Sequence, residues 1–249
     1  MKNIIIILLM SITVVQATDY NLNTEGDLII TGASLATFAI GHFAFETDTL
    51  LLQNLDRNDI NFIDRATMNE YNSTIATVSD AFLFWSIASP VVFNYQQFAN
   101  SWTIPVMYGE ALLATSAITY LVKKIVKRPR PFNYYKNTPK SQLESFDSQL
   151  SFFSGHSSLS FSSAVFNSII FEKYNPNSEY KNLVWAISLI SAATTATLRV
   201  LAGKHFFSDV VVGAVVGSAL SYYITEIHEA TPVNGEPINI PLIGIKVGM

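Results

Sequence analysis

The sequence lacks cysteine altogether, which excludes disulfide bonds and thiolate-ligated metals but leaves the cellular compartment open. Charge is also scarce: only 14% of the 249 residues are charged, 49% are hydrophobic, and the mean hydropathy is +0.30. This composition predicts one domain that is either embedded in a membrane or an unusually apolar soluble bundle. The net charge of -4 argues against nucleic acid as the main partner.

The polar chemistry that remains is concentrated in three short segments. They read KKIVKRPRP (123–131), SFFSGHS (151–157) and RVLAGKHFFSD (199–209). Together they supply several cations, two imidazoles, one carboxylate and a turn with a glycine. These are the groups that a protein needs to hold a tetrahedral oxyanion and to transfer it.

The first segment follows an apolar run, ALLATSAITYLV, that predicts a helix. If the helix continues, Lys123 and Arg130 share one face two turns apart. Pro129 and Pro131 should end the helix near Arg130, so that two positive charges project into the following loop. Arginine suits a bidentate grip on two phosphate oxygens, whereas lysine acts as a point charge.

The second segment precedes the run SSLSFSSAVFNSIIF, which predicts a helix that begins close to Ser154, Gly155 and His156. The unpaired N–H groups and partial positive charge of a helix N-terminus favour a docked anion. Gly155 lets the backbone come close to that anion. His156 is placed where it could pass a proton to a leaving oxygen.

The third segment places Arg199 at the end of an apolar run, with His205 six residues later and Asp209 four residues after that. Asp209 is in position to accept a hydrogen bond from one nitrogen of His205. Such a bond fixes the tautomer and makes the other nitrogen nucleophilic. The pattern therefore predicts a histidine nucleophile oriented by a carboxylate.

The three segments resemble the signature of the type 2 phosphatidic acid phosphatase (PAP2) superfamily, which also includes bacterial acid phosphatases and vanadium haloperoxidases. That signature is Lys, six residues, Arg-Pro; then Pro-Ser-Gly-His; then Ser-Arg, five residues, His, three residues, Asp. The chain departs from it at Phe153, where the family has proline, and at Leu198, where it has serine. Neither departure removes a titratable group, although Leu198 removes a hydroxyl beside the site. The matching residues are Lys123, Arg130, Pro131, Ser154, Gly155, His156, Arg199, His205 and Asp209.

The resemblance implies an all-α fold, a six-helix bundle of the PAP2 type embedded in a membrane. It also implies a metal-independent phosphatase, without a cofactor, that acts through a phosphohistidine. His205 would attack phosphorus, Asp209 would orient it, and His156 would protonate the leaving alcohol. The implied partners are a membrane and a phosphorylated lipid, a phosphomonoester or pyrophosphate; the exact substrate and the oligomeric state stay open. The implied phosphate-binding residues are Lys123, Arg130, Ser154, Gly155 and Arg199.

Four regions follow from the chain as a whole. Residues 1–17 predict a signal peptide, with the apolar run IIIILLM and a VQA cleavage site, although an uncleaved anchor stays open. Residues 18–79 hold an N-terminal helix and a polar amphipathic segment, and residues 80–230 form the catalytic helical core. Residues 231–249 form a tail rich in proline and glycine, without predicted structure.

Apolar runs after the signal peptide predict six helices. One run contains Glu110, an ionisable group of the kind that is often functional at membrane depth, although a hydrogen-bonded structural role is equally open. Gly213 and Gly217 form a GxxxG pair that predicts close helix packing inside the bundle. The runs cover residues 28–45, 81–98, 102–122, 157–171, 183–201 and 210–227.

Two polar stretches are expected at the surface. Residues 50–79 carry alternating charges and predict a solvated or interfacial amphipathic helix, since they lack the glycine and terminal glutamate of a calcium loop. Residues 133–150 connect the first two motifs and form either a lid over the site or a simple connection.

Two arguments disagree about which side of the membrane the site faces. A cleaved signal followed by three crossings would place Lys123 in the cytoplasm, as would the basic loop after it. Exported members of the family instead act outside the cytoplasm. We therefore expect that the run 81–98, which contains Pro90, does not span. The active site would then face the periplasm from the inner membrane of a bacterial-type envelope; a soluble periplasmic bundle is the alternative.

Two other functions stay open. A vanadium-dependent haloperoxidase would hold vanadate in the same cradle, with His205 as its ligand. A non-catalytic lipid-phosphate-binding membrane protein would keep the arginines without needing a nucleophile. Each segment alone also has a plainer explanation, as a basic anchor, a helix-start histidine or a structural ion-pair cluster. Their occurrence together in this order favours one phosphate site over three coincidences.

Overall fold

The computed structural model describes residues 20–45 and 55–229; the predicted signal peptide and the tail 231–249 lie outside these ranges. Apart from one isolated bridge between Tyr20 and Glu229, the regular elements of the described chain are helices. The helices are α1 Thr24–Phe43, α2 Phe62–Thr67, α3 Ser73–Phe93, α4 Tyr95–Asn100, α5 Thr103–Val126, α6 Lys140–Leu143, α7 Gly155–Tyr174, α8 Lys181–Leu201 and α9 Phe207–His228.

Six of these helices are at least 20 residues long, namely α1, α3, α5, α7, α8 and α9. Each corresponds to one of the six predicted apolar runs, which confirms the predicted all-α, six-helix bundle. The short helices α2, α4 and α6 lie in the connections. The connections are polar and do not carry apolar residues every 3.6 positions over several turns. Their helices are therefore short.

Helix α7 lies at the centre of the bundle and packs against α3, α5, α8 and α9. Many of its side chains are small, and some of its serine hydroxyls are satisfied within the helix: Ser160 donates to the carbonyl of His156 at 2.7 Å and Ser168 to that of Ala164 at 2.8 Å. Small side chains with internally satisfied hydroxyls let neighbouring helices approach closely without unpaired polar groups.

The GxxxG pair of α9 provides the closest approach to α7. A Cβ atom on Gly217 would lie 1.9 Å from the carbonyl oxygen of Ser158, and one on Gly213 would lie 2.6 Å from that of Ser154. Neither distance leaves room for a methyl group. The prediction that this pair marks packing inside the bundle is confirmed.

Five segments are long and apolar enough to cross a membrane: α1, α3, Thr103–Tyr134 with α5, α8 and α9. Large apolar side chains such as Phe43, Phe84, Ile190 and Val215 are exposed on these helices. Such surfaces suit a lipid environment, and we treat the protein as a helical membrane protein. Helix α3, which contains most of the run 81–98, is one of these five segments. Its length and composition therefore do not support the expectation that this run stays out of the bilayer.

The N-terminal polar segment differs from the prediction. Residues 50–79 were expected to form a solvated or interfacial amphipathic helix, but the described part holds a 3-10 turn, Arg57–Asp59, the short α2 and the start of α3. Asp64 of α2 is fully buried, because it accepts hydrogen bonds from Arg128 and Ser208. The prediction of one continuous helix is therefore wrong, whereas most of the described residues of this segment are exposed, as expected of a solvated stretch. Asp64 is an exception, because distant partners bury it.

The end of α5 also differs from the prediction. The helix ends at Val126, and Lys127 adopts a left-handed conformation with φ 46°. Its N–H donates to the carbonyl of Lys123 at 3.0 Å. Such a residue closes a helix, and the proline at position 129 disfavours helical geometry before it. Lys123 therefore lies in the last turn while Arg130 lies beyond the helix, so the predicted shared helical face is wrong.

Candidate active site

The three motif segments meet at one end of the bundle, where α5 ends and α7 and α9 begin. Backbone hydrogen bonds hold them together. The N–H of Ser154 donates to the carbonyl of Asp209 at 3.0 Å, and that of Ser151 to Arg128 at 2.9 Å. The N–H of Arg130 donates to the carbonyl of Ser148 at 2.8 Å. All eight predicted site residues therefore lie in one region of the molecule, although they are far apart in sequence.

His205 is almost fully buried in this region, with 1% of its surface exposed. Its Nδ1 lies 2.8 Å from the carbonyl oxygen of Ser151. A carbonyl oxygen only accepts, so Nδ1 carries the proton. In the neutral ring, Nε2 then holds the lone pair, and this atom lies 3.1 Å from Nη1 of Arg130. The unprotonated nitrogen of His205 therefore faces the cationic side of the site.

Asp209 contacts His205 less directly than the sequence predicted. Its Oδ2 lies 3.6 Å from Nδ1 of His205, beyond hydrogen-bond distance, because Ser151 intervenes. The Ser151 carbonyl bonds to the imidazole at 2.8 Å, while its hydroxyl donates to Asp209 at 2.5 Å. Asp209 is also the third residue of α9, and it accepts from the N–H of the N-cap residue Phe206 at 2.9 Å. Asp209 thus acts on His205 through charge and through Ser151.

Two of the predicted cations, Arg130 and Lys123, act on the imidazole of His205. Arg130 donates to the carbonyl of Lys204 and to the carboxylate of Asp147, at 2.7 and 2.6 Å. Lys123 reaches from the last turn of α5 to the carbonyl of Leu150. These partners are carbonyl and carboxylate oxygens, the same kind of acceptor that a phosphoryl group offers.

Arg199 and His156 share one acceptor. Oδ1 of Asp80, on α3, lies 2.7 Å from Nε2 of His156 and 3.1 Å from Nη1 of Arg199. His156 occupies the first turn of α7, which Ser154 caps by accepting from the N–H of Ser157 at 3.3 Å. Gly155 is the first residue of that helix. The free N–H groups at the start of α7 therefore border the same region as the two histidines.

Burial and positive charge shape the titration of both histidines. Burial, together with the charges of Arg130 and Lys123, holds the pKa of His205 well below its usual value. Burial and the charge of Arg199 lower the pKa of His156 to about 4, although Asp80 opposes this shift. Both imidazoles are neutral at pH 7 in the free site. A bound anion would neutralise the arginines and raise both pKa values again.

Besides Ser151, sequence reasoning missed four residues of this site. Arg128 bridges Asp64 and Asp209, at 2.7 and 2.5 Å, and lies over the ring of Phe206. Lys204 is a further cation beside His205. The missed residues that contact predicted ones are Asp80, Arg128, Asp147 and Lys204. Arg128 and Lys204 lie inside the first and third motif segments, so their positive charge could have identified them as site residues. The sequence around Asp80 and Asp147 contains no motif that would have indicated that they contact the site.

Potential metal ligands form one cluster among the described residues, and it lies away from this site. It consists of Asp27, Glu110 and His228, whose ligand atoms lie within 4.8 Å of one another. At the active site itself, arginine and lysine side chains provide the positive charge. This arrangement can hold and polarise a phosphoryl group through charge-assisted hydrogen bonds.

The fold and the site define a helical membrane protein with a cationic pocket around two histidines. A sequence model of the PAP2 superfamily matches residues 105–231, just over half of the chain. The chain belongs to the PAP2 superfamily. Among solved structures it is similar to the first transmembrane PAP2 type phosphatidylglycerolphosphate phosphatase from Bacillus subtilis. The sequences are 20% identical, the match covers 83% of this chain and 99% of that chain, and the TM-score is 0.53. At this identity the similarity shows the fold alone.

Proposed function

We propose that this protein is a metal-independent phosphatase that hydrolyses a phosphomonoester or pyrophosphate of a lipid through a phosphohistidine intermediate. The observation that carries the proposal is the orientation of His205. Its Nδ1 bonds to the Ser151 carbonyl, and its Nε2 faces Arg130 at 3.1 Å. A neutral imidazole with its lone pair directed at a cationic anion cradle is suited to attack a phosphoryl group.

In the first step of the proposed reaction, Nε2 of His205 forms a bond to phosphorus as the bond to the leaving oxygen breaks. His156 gives its proton to that oxygen. In the second step, His156 takes a proton from water, the water oxygen bonds to phosphorus and the N–P bond breaks, releasing inorganic phosphate. Lys123, Arg130 and Arg199 stabilise the charge on the phosphoryl oxygens throughout. In phosphoryl transfer this electrostatic stabilisation is expected to lower the barrier more than any other single effect.

An apolar cavity beside the site supports a lipid substrate. It has a volume of about 280 Å³ and lies between α8, α9 and α7, lined by residues that include Phe161, Ala196, Val200, Phe207 and Val210. Val200 and Val210 directly follow Arg199 and Asp209 in the chain. An acyl or prenyl chain could lie in this cavity while its phosphate occupies the cationic pocket.

The test is phosphate release by the purified protein in detergent, with EDTA present, from a panel of lipid and soluble phosphomonoesters. We expect turnover with a preference for lipid substrates. His205→Ala should abolish it, whereas His42→Ala, at an exposed histidine of α1, should leave it unchanged. A rapid quench should trap phosphate on the wild type in an acid-labile, base-stable bond. Turnover that survives in His205→Ala would contradict the proposal.

We also propose that the protein lies in the inner membrane with its site facing the periplasm, after export directed by residues 1–17. The predicted division into a helical N-terminal region, a catalytic core and a tail is part of this proposal. A thiol-reactive, membrane-impermeant reagent applied to intact cells tests the orientation. Because the natural chain has no cysteine, a single cysteine placed at Lys136 in the loop after the first motif reports without background. Labelling only after lysis would contradict a periplasmic site.

A further inference from the structure

At the end of the bundle opposite the active site, Asp27, Glu110 and His228 form a cluster that the phosphatase reaction does not use. Asp27 lies near the start of α1, Glu110 in the second turn of α5, and His228 at the end of α9. Glu110 precedes Lys123 by 13 residues on the same helix. At 1.5 Å per residue this places the cluster about 20 Å from the phosphate site. The cluster therefore needs an explanation of its own.

The imidazole of His228 presents Nε2 to both carboxylates. Its Nδ1 lies 2.8 Å from the carbonyl oxygen of Ile224, so Nδ1 carries a proton and donates it. Its Nε2 lies 2.9 Å from Oδ1 of Asp27 and 3.3 Å from Oε2 of Glu110. A backbone carbonyl that fixes one nitrogen while the other faces carboxylates is the arrangement of a metal-ligating histidine.

Glu110 is an independent sign of a missing partner. Its side chain is 4% exposed, and both carboxylate oxygens are buried without a hydrogen bond of good geometry to the described residues. The Thr31 side chain, one turn after Asp27 on α1, also faces this carboxylate. A buried carboxylate left in this state costs free energy unless a positive group compensates it.

A divalent cation satisfies the cluster in charge and in geometry. With both carboxylates ionised, one imidazolium proton on His228 cannot pair both of them and leaves a net negative charge inside membrane-spanning helices, where charge is costly. Two carboxylates with a neutral imidazole and a divalent cation sum to zero. Ligands about 2.0–2.1 Å from a tetrahedral ion lie about 3.3 Å apart. The distance from His228 to Glu110 matches this value, and that to Asp27 is a few tenths of an ångström shorter.

We propose that Asp27, Glu110 and His228 bind a divalent transition-metal cation, such as Zn²⁺ or Mn²⁺, that fastens α1 to α5 and α9. The imidazole favours a transition metal over Ca²⁺ or Mg²⁺, which prefer all-oxygen sites. The role is structural: α1 lies outside the residues that match the family, and the cation holds its N-terminal end on the helices that do match.

The site is already supported on the protein side. The carbonyl of His228 accepts a hydrogen bond from the N–H of Asn21 at 2.9 Å, and Tyr20 pairs with Glu229 in an isolated bridge. Lys173 forms an ion pair with Glu229. The first two contacts hold the end of α9 against the segment that leads into α1, and the ion pair holds it against α7. They limit the ordering that a cation would have to impose.

The test is Co²⁺ binding to protein that has been purified without a polyhistidine tag and stripped with a chelator. We expect one equivalent of Co²⁺ to give visible d–d absorption, and Zn²⁺ to displace it. Glu110→Gln and His228→Gln should each weaken binding at least about 100-fold, since removal of a direct ligand costs more than the loss of a supporting contact. Glu25→Gln, at an exposed carboxylate near Asp27, is the matched control and should bind like the wild type.

Thermal unfolding gives a second readout that does not depend on activity. Zn²⁺ should raise the melting temperature of the stripped wild type and of Glu25→Gln, and should leave that of Asp27→Asn unchanged. Asp27 is only partly buried, so this variant should fold even if Glu110→Gln does not. Absence of Co²⁺ absorption and of a Zn²⁺ shift in the wild type would overturn the proposal in favour of an ion-pair cluster. Equal binding by wild type and ligand variants would overturn it as well.

Discussion

Oδ1 of Asp80 lies 2.7 Å from Nε2 of His156, which joins α3 to the first turn of α7. The same oxygen accepts a hydrogen bond from Arg199 at 3.1 Å. Asp80 therefore orients the proposed proton donor and one of the phosphate-binding arginines together. It also stabilises the protonated form of His156 and so opposes burial and the charge of Arg199, which together still lower the pKa of His156 to about 4.

Asp80→Asn should reduce kcat about 10- to 100-fold, because His156 loses the charge that favours its protonated form. The asparagine keeps an oxygen at the same place, so binding should change less than the chemical step. Steady-state kinetics on one lipid substrate checks this expectation, with the exposed Glu70→Gln as a control. An unchanged kcat would show that Asp80 has no part in the proton transfer.

The two histidines predict a pH dependence on the acid side. His205 must be neutral to attack, and its pKa lies well below its usual value, so it stays reactive down to acidic pH. His156 must be protonated to act as the acid, and with a pKa of about 4 its protonated fraction falls as the pH rises. We therefore expect kcat/KM to increase as the pH falls from about 8 to about 5.

Ionisation of the substrate also affects the pH profile of kcat/KM. Comparing the wild type with His156→Gln separates the contribution of the substrate from that of the enzyme. His156→Gln should retain the contribution of the substrate and lose that of the enzyme. Because a bound phosphate neutralises the arginines, the kcat profile of the wild type should lie at higher pH than its kcat/KM profile. Superimposable profiles of wild type and His156→Gln would exclude His156 as the acid.

In the free site, the carboxylate of Asp147 forms an ion pair with Arg130. It should therefore compete with phosphate for the Arg130 guanidinium. The carboxylate bonds to Nη2 at 2.6 Å; burial opposes ionisation, but Arg130 and Lys123 hold the pKa of Asp147 below its usual value. Asp147→Asn removes the charge, while the backbone carbonyl still accepts from Nε of Arg130 at 2.7 Å.

We expect Asp147→Asn to lower the inhibition constant of inorganic phosphate about 5- to 10-fold, equivalent to about 1 kcal/mol, as for the loss of one competing ion pair. Competition assays at fixed ionic strength measure it. Glu144→Gln, an exposed carboxylate of the same loop, is the control. A higher inhibition constant in Asp147→Asn would mean that Asp147 positions Arg130 and does not compete with the ligand.

Arg128 connects the N-terminal segment to the active site, because it pairs with both Asp64 and Asp209. Burial opposes ionisation of Asp64, but hydrogen bonds from Arg128 and Ser208 hold its pKa below its usual value. Asp64→Asn should destabilise the protein by about 3 kcal/mol, as expected when one partner of a buried pair is removed. Melting temperatures in detergent check this, with the exposed Asp59→Asn as control. Equal melting temperatures would contradict it.

Replacing Gly217 or Gly109 with alanine should change the stability of the protein in different directions. At Gly217 a methyl group would lie 1.9 Å from the Ser158 carbonyl oxygen, so Gly217→Ala should separate α7 from α9 and lower the melting temperature. At Gly109 of α5 nothing lies within 4 Å, so Gly109→Ala should be neutral or stabilising by up to about 1 kcal/mol. Similar melting temperatures for both variants would contradict the close packing of α7 and α9.

The sequence alone was sufficient to predict the long helices and to name eight residues that lie together in the fold. Long apolar runs predicted the six long helices within one turn or two at most ends, and Ser154 was correctly placed at the start of α7. These features depend on local period and capping, which neighbouring residues determine. The three motifs lie at the end of α5 and at the starts of α7 and α9, so the packing of these helices brings all eight predicted residues to one end.

Local patterns failed where a distant partner decided the outcome. Asp80 contacts His156 across 76 residues, and Ser208 contacts Asp64 across 144. Nothing beside Asp64 in the chain indicates burial; it is buried because Arg128 and Ser208 satisfy it.

Ser151 likewise takes the place that the spacing assigned to Asp209 beside His205. The sequence determined which helices form and which chemical groups they carry. Only tertiary packing decided which polar groups pair, because a buried charge is stable only where the folded chain brings it a partner.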